Sequence, residues 1–193
     1  MKKILVLILF LPFFFSVHNA HAQKRLALTL QGGYGTGGYE ATHTGINLGK
    51  FAFRADLNYL VLPILDAYAA FSYAGFACGE EAGGFCKDAR VDFTASGLNV
   101  GLRLKHLPNA SIWIPWFRAG LAYQMLKWSR LTESYSDAGL GFEIGTGIAY
   151  PVTEQIKVVP SVNYTRFTVT KKDDSGSSAA VVLTGLIGVR YEF

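Results

Sequence analysis

Beyond its first 22 residues this sequence has no continuously apolar run, and so no segment that reads as a membrane-crossing helix. It has only two cysteines, Cys78 and Cys86, too few and too isolated for a zinc site. Histidine is equally scarce: past residue 22 only His43, in a Gly-rich connection, and His106, beside a short turn, are left. Neither stands at metal spacing with cysteines or carboxylates, and both read as surface loop residues. Charged residues make up 17% of the chain, with no basic cluster and no aromatic-plus-basic repeat, so nucleic-acid binding has no support. Gly32-Gly33-Tyr34-Gly35 leads into more loop and a strand, where a dinucleotide site needs a helix. No cofactor is implied.

What is present is hydrophobic residue in quantity. Half of the 193 residues are hydrophobic and 14% are aromatic, enough for one domain with a full core. The N-terminus accounts for part of this. Lys2 and Lys3 precede an apolar run from Ile4 to Phe15, and a polar stretch ends in Ala20-His21-Ala22. Charge, length and small-x-small ending are those of a secretory signal peptide over residues 1–22, with the mature domain running from 23 to 193. Losing Lys2 and Lys3 leaves sixteen basic against fourteen acidic residues, a net charge of +2 in place of +4. Export through an oxidising compartment makes a Cys78–Cys86 disulfide the first expectation. Closing so short a loop contributes roughly 2 to 3 kcal/mol on a chain-entropy basis.

From Gln23 onward the recurring period is two, the signature of strands. Phe51, Phe53, Ala55, Leu57 and Tyr59 alternate with Ala52, Arg54, Asp56 and Asn58. Leu98, Val100, Leu102 and Leu104 alternate with Asn99, Gly101, Arg103 and Lys105. Eight such segments can be counted, most of them long enough for the roughly 9 to 11 tilted residues that cross a bilayer. Their connections alternate in length. Long ones are expected near 35–45, 76–92, 127–137 and 171–178, and short ones at 62–64, 106–109 and 151–155. An up-and-down barrel with short turns on the periplasmic side and long loops outside shows this alternation; a soluble meander has no reason to.

The faces decide the solvent. One face of nearly every segment is aliphatic or aromatic. The other mixes Gly, Ser, Thr and Asn with Arg54, Asp56, Arg103, Lys105, Arg118, Glu143, Arg190 and Glu192. With no helix to cover the apolar faces, lipid is their expected neighbour. The charged set then lies inside, where eight strands leave room for side chains and little else. Buried charges cost several kcal/mol each unless paired, so a paired interior network is predicted, with glycines opposite long arginines relieving crowding. Tyr34, Tyr59, Trp113, Trp116, Tyr123, Trp128, Tyr150 and Tyr164 are candidates for the interfacial aromatic girdles, although Trp113 and Trp116 cannot both face outward in a regular strand.

The signal, the eight alternating strands and the ending Gly185-Leu186-Ile187-Gly188-Val189-Arg190-Tyr191-Glu192-Phe193 resemble the OmpA/OmpX-type family of small outer-membrane barrels. Ala149-Tyr150-Pro151-Val152-Thr153 is similar to the short periplasmic turns of that family. The resemblance implies an all-β, eight-stranded antiparallel transmembrane barrel in a bacterial outer membrane. It also implies that Val189, Tyr191 and Phe193 form the signal read by the assembly machinery, a transient partner beside outer-membrane lipid. Some barrels of this size are lipid-modifying enzymes. Here His43 with Ser129, Ser134 or Ser136 could be assembled on paper, but no flanking motif supports catalysis. The expected function is therefore a monomeric, non-enzymatic barrel presenting four loops for surface interaction. A small porin-like channel and a soluble lipocalin-like carrier are the alternatives.

Overall fold

The computed structural model describes residues 26–39, 48–78, 91–106, 113–130, 133–170 and 177–193. The proposed signal segment, Cys86 and His43 lie outside the described residues. Everything described is strand or tight connection: β1 (Leu26–Tyr39), β2 (Leu48–Leu62), β3 (Leu65–Cys78), β4 (Val91–Lys105), β5 (Ile114–Arg130), β6 (Glu133–Pro151), β7 (Ile156–Val158), β8 (Ser161–Thr170) and β9 (Ser177–Glu192). Each pairs antiparallel with its neighbours, and β9 pairs back onto β1, so the sheet closes with no free edge.

Nine strands make eight staves. β7 and β8 both lie between β6 and β9, and register is kept across the gap between them. Val158 faces Val189, and Ser161, three residues on, faces Leu186, three residues back. The interruption falls at Val159-Pro160, where proline has no N–H to give to a ladder. Following the pairing once around from Leu28, through Leu57, Ala69, Val100, Leu121, Phe142, Arg166 and Val181, leads back to β1 at Gly38. That ten-residue stagger, with strands about 4.8 Å apart, tilts the staves by about 40°.

Alternation sends the aliphatic set outward. Leu30, Phe51, Leu98, Val100, Leu102, Ile187 and Val189 are all exposed, and Leu121 and Leu140 are 69% and 71% exposed. Among the described residues no helix or second sheet covers this belt. Such a surface is stable only against hydrocarbon.

The connections differ in part from the alternation of long and short. The tight join at Leu62-Pro63-Ile64 is present, with Leu62 facing Leu65. At the turn after β6, Val152 and Thr153 donate their N–H groups to the Ile156 carbonyl, and Thr153 Oγ1 accepts from the Ile156 N–H at 2.9 Å. The long connection expected over 127–137 is not a loop. β5 and β6 run on as a ladder until Arg130 faces Glu133. Polar composition around Ser129, Ser134 and Ser136 suggested a loop, yet an outer strand end in water needs no apolar face. At 17 and 19 residues, β5 and β6 exceed what the hydrocarbon requires.

Candidate functional site in the barrel interior

The inward face is layered along the barrel axis. Its middle layer holds two arginines and two carboxylates, each supplied by a different turn of the alternation. Arg54 donates through Nη1 and Nη2 to the two oxygens of Glu143 at 2.7 and 2.8 Å, and through Nε to Asp56 at 2.7 Å. Arg118 donates to Asp56 at 3.0 Å and to the side-chain oxygen of Asn163, and its Nε lies 3.6 Å from Glu143. All four charged side chains are buried, and their charges balance. The two-pronged Arg54–Glu143 geometry is the strongest form of such a pair, and it ties β2 to β6 across the lumen.

Glycine makes this layer possible. Tyr68, Gly101, Gly120 and Glu143 are successive cross-strand partners on β3 to β6. The Tyr68 ring lies over the two glycines, and its hydroxyl donates to Glu143 at 2.8 Å. A Cβ at Gly101 would stand 2.9 Å from that hydroxyl oxygen. Gly145 does the same for Arg118, which it faces across the β5–β6 ladder.

Toward the short turns lies a second charged layer. Asp66 is held by Lys105 at 2.8 Å and Arg190 at 3.2 Å, and Glu192 by Lys157 at 2.7 Å and Arg190 at 3.0 Å. Arg103 donates to Asn58 at 3.1 Å, and its guanidinium lies 4.0 Å from the centre of the Trp116 ring. Trp116 is only 4% exposed, so it belongs to the lumen and not to a girdle. Its ring packs against the guanidinium groups of Arg103 and Arg118, at 4.0 and 5.3 Å from the ring centre. Trp113 faces outward beside Tyr150.

Toward the long connections the lumen turns apolar. Above a belt of Ser72, Asn99 and Gln124, joined by hydrogen bonds of 2.9 to 3.1 Å, come Phe76, Phe93, Leu126, Phe167, Val169 and Val182. Phe76 and Phe93 stack at 5.2 Å, and Trp128 packs against the cluster from its rim instead of joining a girdle. The expected polar network is confined to the middle of the lumen and its turn end, and an apolar plug fills the end toward the long connections.

All eight charged residues singled out in the sequence therefore point inward, and the structure brings them together as two groups. Asp66, Tyr68, Asn163 and Lys157 complete those groups. Asp66, Asn163 and Lys157 fall on the polar faces of their segments in the sequence without being named to the network, whereas Tyr68, among Ala70, Ala74 and Phe76 on the same face of β3, carries no such signal. Cys78 is buried at the end of β3, with Cys86 outside the described residues. Val189, Tyr191 and Phe193 face outward; Tyr191 and Phe193 meet edge to face at 4.9 Å. His106 is exposed beside its turn. Among the described residues no three His, Cys, Asp or Glu side chains are grouped to hold a metal.

A closed barrel with a charged lumen and an aliphatic outer belt defines a protein of the bacterial outer membrane. The sequence matches the outer membrane protein beta-barrel domain over residues 7–193, and the chain belongs to this family. No curated protein sequence matches it. Its fold is similar to that of Neisserial surface protein A, at a TM-score of 0.67 and 13% identity, covering 87% of this chain and 97% of that one. It is also similar to Ail, the attachment invasion locus protein of Yersinia pestis, solved with the heparin analogue sucrose octasulfate. There the TM-score is 0.52 and the identity 14%, covering 88% and 99% of the two chains. OprG of Pseudomonas aeruginosa gives 0.52 and 14%, covering 91% and 99%. At these identities the likeness shows the fold alone.

Proposed function

We propose that this protein is a closed, monomeric barrel with a surface-interaction role, anchored in the outer membrane and presenting its long connections outside. The packing of the lumen supports this reading. A balanced ionic layer spans the barrel from β2 to β6, and an apolar plug sits above it. Two spaces lined by luminal side chains among the described residues measure about 20 and 60 Å³, room for a few waters each. Recordings on the purified protein in planar bilayers should show no steady conductance. Regular channel openings would replace this reading with the porin-like one.

The same packing supports a non-catalytic role. The four carboxylates of the two ionic layers, Asp56, Glu143, Asp66 and Glu192, are each engaged by cations and so are not free to act as a base. Outside the barrel wall, the proposed partners are outer-membrane lipid along the aliphatic belt and the assembly machinery at Val189, Tyr191 and Phe193. A Cys78–Cys86 disulfide would hold the connection between β3 and β4 in shape beside the apolar plug. The unreduced protein should then weigh two hydrogens less than the reduced one.

A further inference from the structure

We infer that the periplasmic mouth of the barrel holds a binding site for one small tetrahedral oxyanion of the phosphate or sulfate class, taken from solution. The two charged layers differ in their balance. Arg54 and Arg118 meet Asp56 and Glu143, and nothing is left over. At the mouth, the ion pairs of Lys105, Lys157 and Arg190 among the described residues are with Asp66 and Glu192, and Arg103 lies beside them. Both carboxylates are already shared between two cations. The excess positive charge falls to Arg103, which has Asn58 and the Trp116 face but no carboxylate in contact.

Arg103 is 2% exposed, and two of its donors, Nε and Nη2, have no partner. Those two nitrogens form one edge of the guanidinium, the edge whose parallel N–H bonds grip a carboxylate, phosphate or sulfate. An unpartnered buried donor is costly, more so when charged, and an oxyanion would remove the cost. Arg103 lines a cavity of about 60 Å³ together with Lys105, Lys157, Arg190, Glu192 and Trp116. Roughly 10 to 15 Å³ holds one water, so the space suits a few waters or one compact anion. Trp116 keeps Arg103 from swinging away. Lys105, Lys157 and Glu192 are each 17% exposed at their side chains, which opens the cavity to water. The barrel wall stands between it and the lipid, so the source is a soluble anion and not a headgroup.

The full-length protein, folded in a neutral phosphate-free detergent, is titrated with inorganic phosphate at constant ionic strength, following its unfolding temperature and the phosphorus linewidth of the phosphate. A saturable rise of several degrees is expected at millimolar phosphate. Sulfate should reproduce it and chloride should not. Arg103→Gln should abolish the rise, and Lys157→Gln should weaken apparent affinity at least fivefold. Lys157→Gln also serves as the test variant should Arg103→Gln not fold. Four results would overturn the site: no saturation, an equal response to chloride, an unchanged response in Lys157→Gln, or a response only to phosphatidylglycerol micelles.

Discussion

At the scale of single residues, Glu143 has the most exacting position. It receives two donors from Arg54, one from Tyr68 and the approach of Arg118. Replacing it by Gln leaves two buried guanidinium groups with Asp56 as their only carboxylate. Breaking a buried pair in this way costs about 3 to 5 kcal/mol, because the charge left behind has no compensation. Tyr68→Phe removes one bond to the same carboxylate, which is worth about 1.5 to 3 kcal/mol. Urea unfolding of both variants in vesicles should rank them in that order below the parent. A Glu143→Gln protein as stable as the parent would mean that the quartet contributes no net stability. The eight charged positions were legible because parity in a strand is strict. Their partners were not, since alternation says which face a residue takes and nothing about which residue stands across a lumen.

Strands and turns carry a different kind of information. Proline at 160 interrupts hydrogen bonding without shifting register, so the seventh stave stays in phase and the barrel closes with eight. The turn of Val152 to Gln155 is held by Thr153 and the Ile156 carbonyl, and it is short because it has only to reverse the chain. Short turns lie on the periplasmic side in barrels of this kind. A cysteine placed at Glu154, in a Cys78→Ser and Cys86→Ser background, should therefore react with an impermeant maleimide only after the outer membrane is opened. A cysteine at Ser175 should react on intact cells. Labelling in the reverse order would invert the barrel. The β5–β6 hairpin shows where reading by composition stops. Polar residues at a strand end that stands in water look the same as a loop, and only the ladder to Arg130 and Glu133 distinguishes them.

For the molecule as a whole, closure depends on the last strand. β9 pairs with β1 from Ala27 to Tyr39, and the Phe193 N–H reaches the Leu26 carbonyl at 2.9 Å. Deleting Phe193 removes one hydrogen bond and one outward ring, a modest loss to a finished barrel. As part of an assembly signal the same residue would matter far more. The deletion should leave stability after refolding in detergent nearly unchanged, while the amount reaching the outer membrane in cells falls several-fold. Heat-modifiable gel migration separates the two. Normal levels in the membrane would remove Phe193 from the signal.

Period-two alternation, with apolar and polar residues sorted onto opposite faces of segment after segment, was enough to read this chain as an outer-membrane barrel. Those properties are local, and each strand repeats them. What the lumen contains was settled only by closure. Register sets Tyr68 over Gly101 and Gly120, turns Trp116 inward onto Arg103 and gathers Phe76, Phe93 and Phe167 into a plug. Each of these contacts joins at least two strands. Those of Tyr68 with Gly120 and of Phe167 with the plug reach past a neighbouring strand, at distances fixed by stagger and tilt that no single segment encodes.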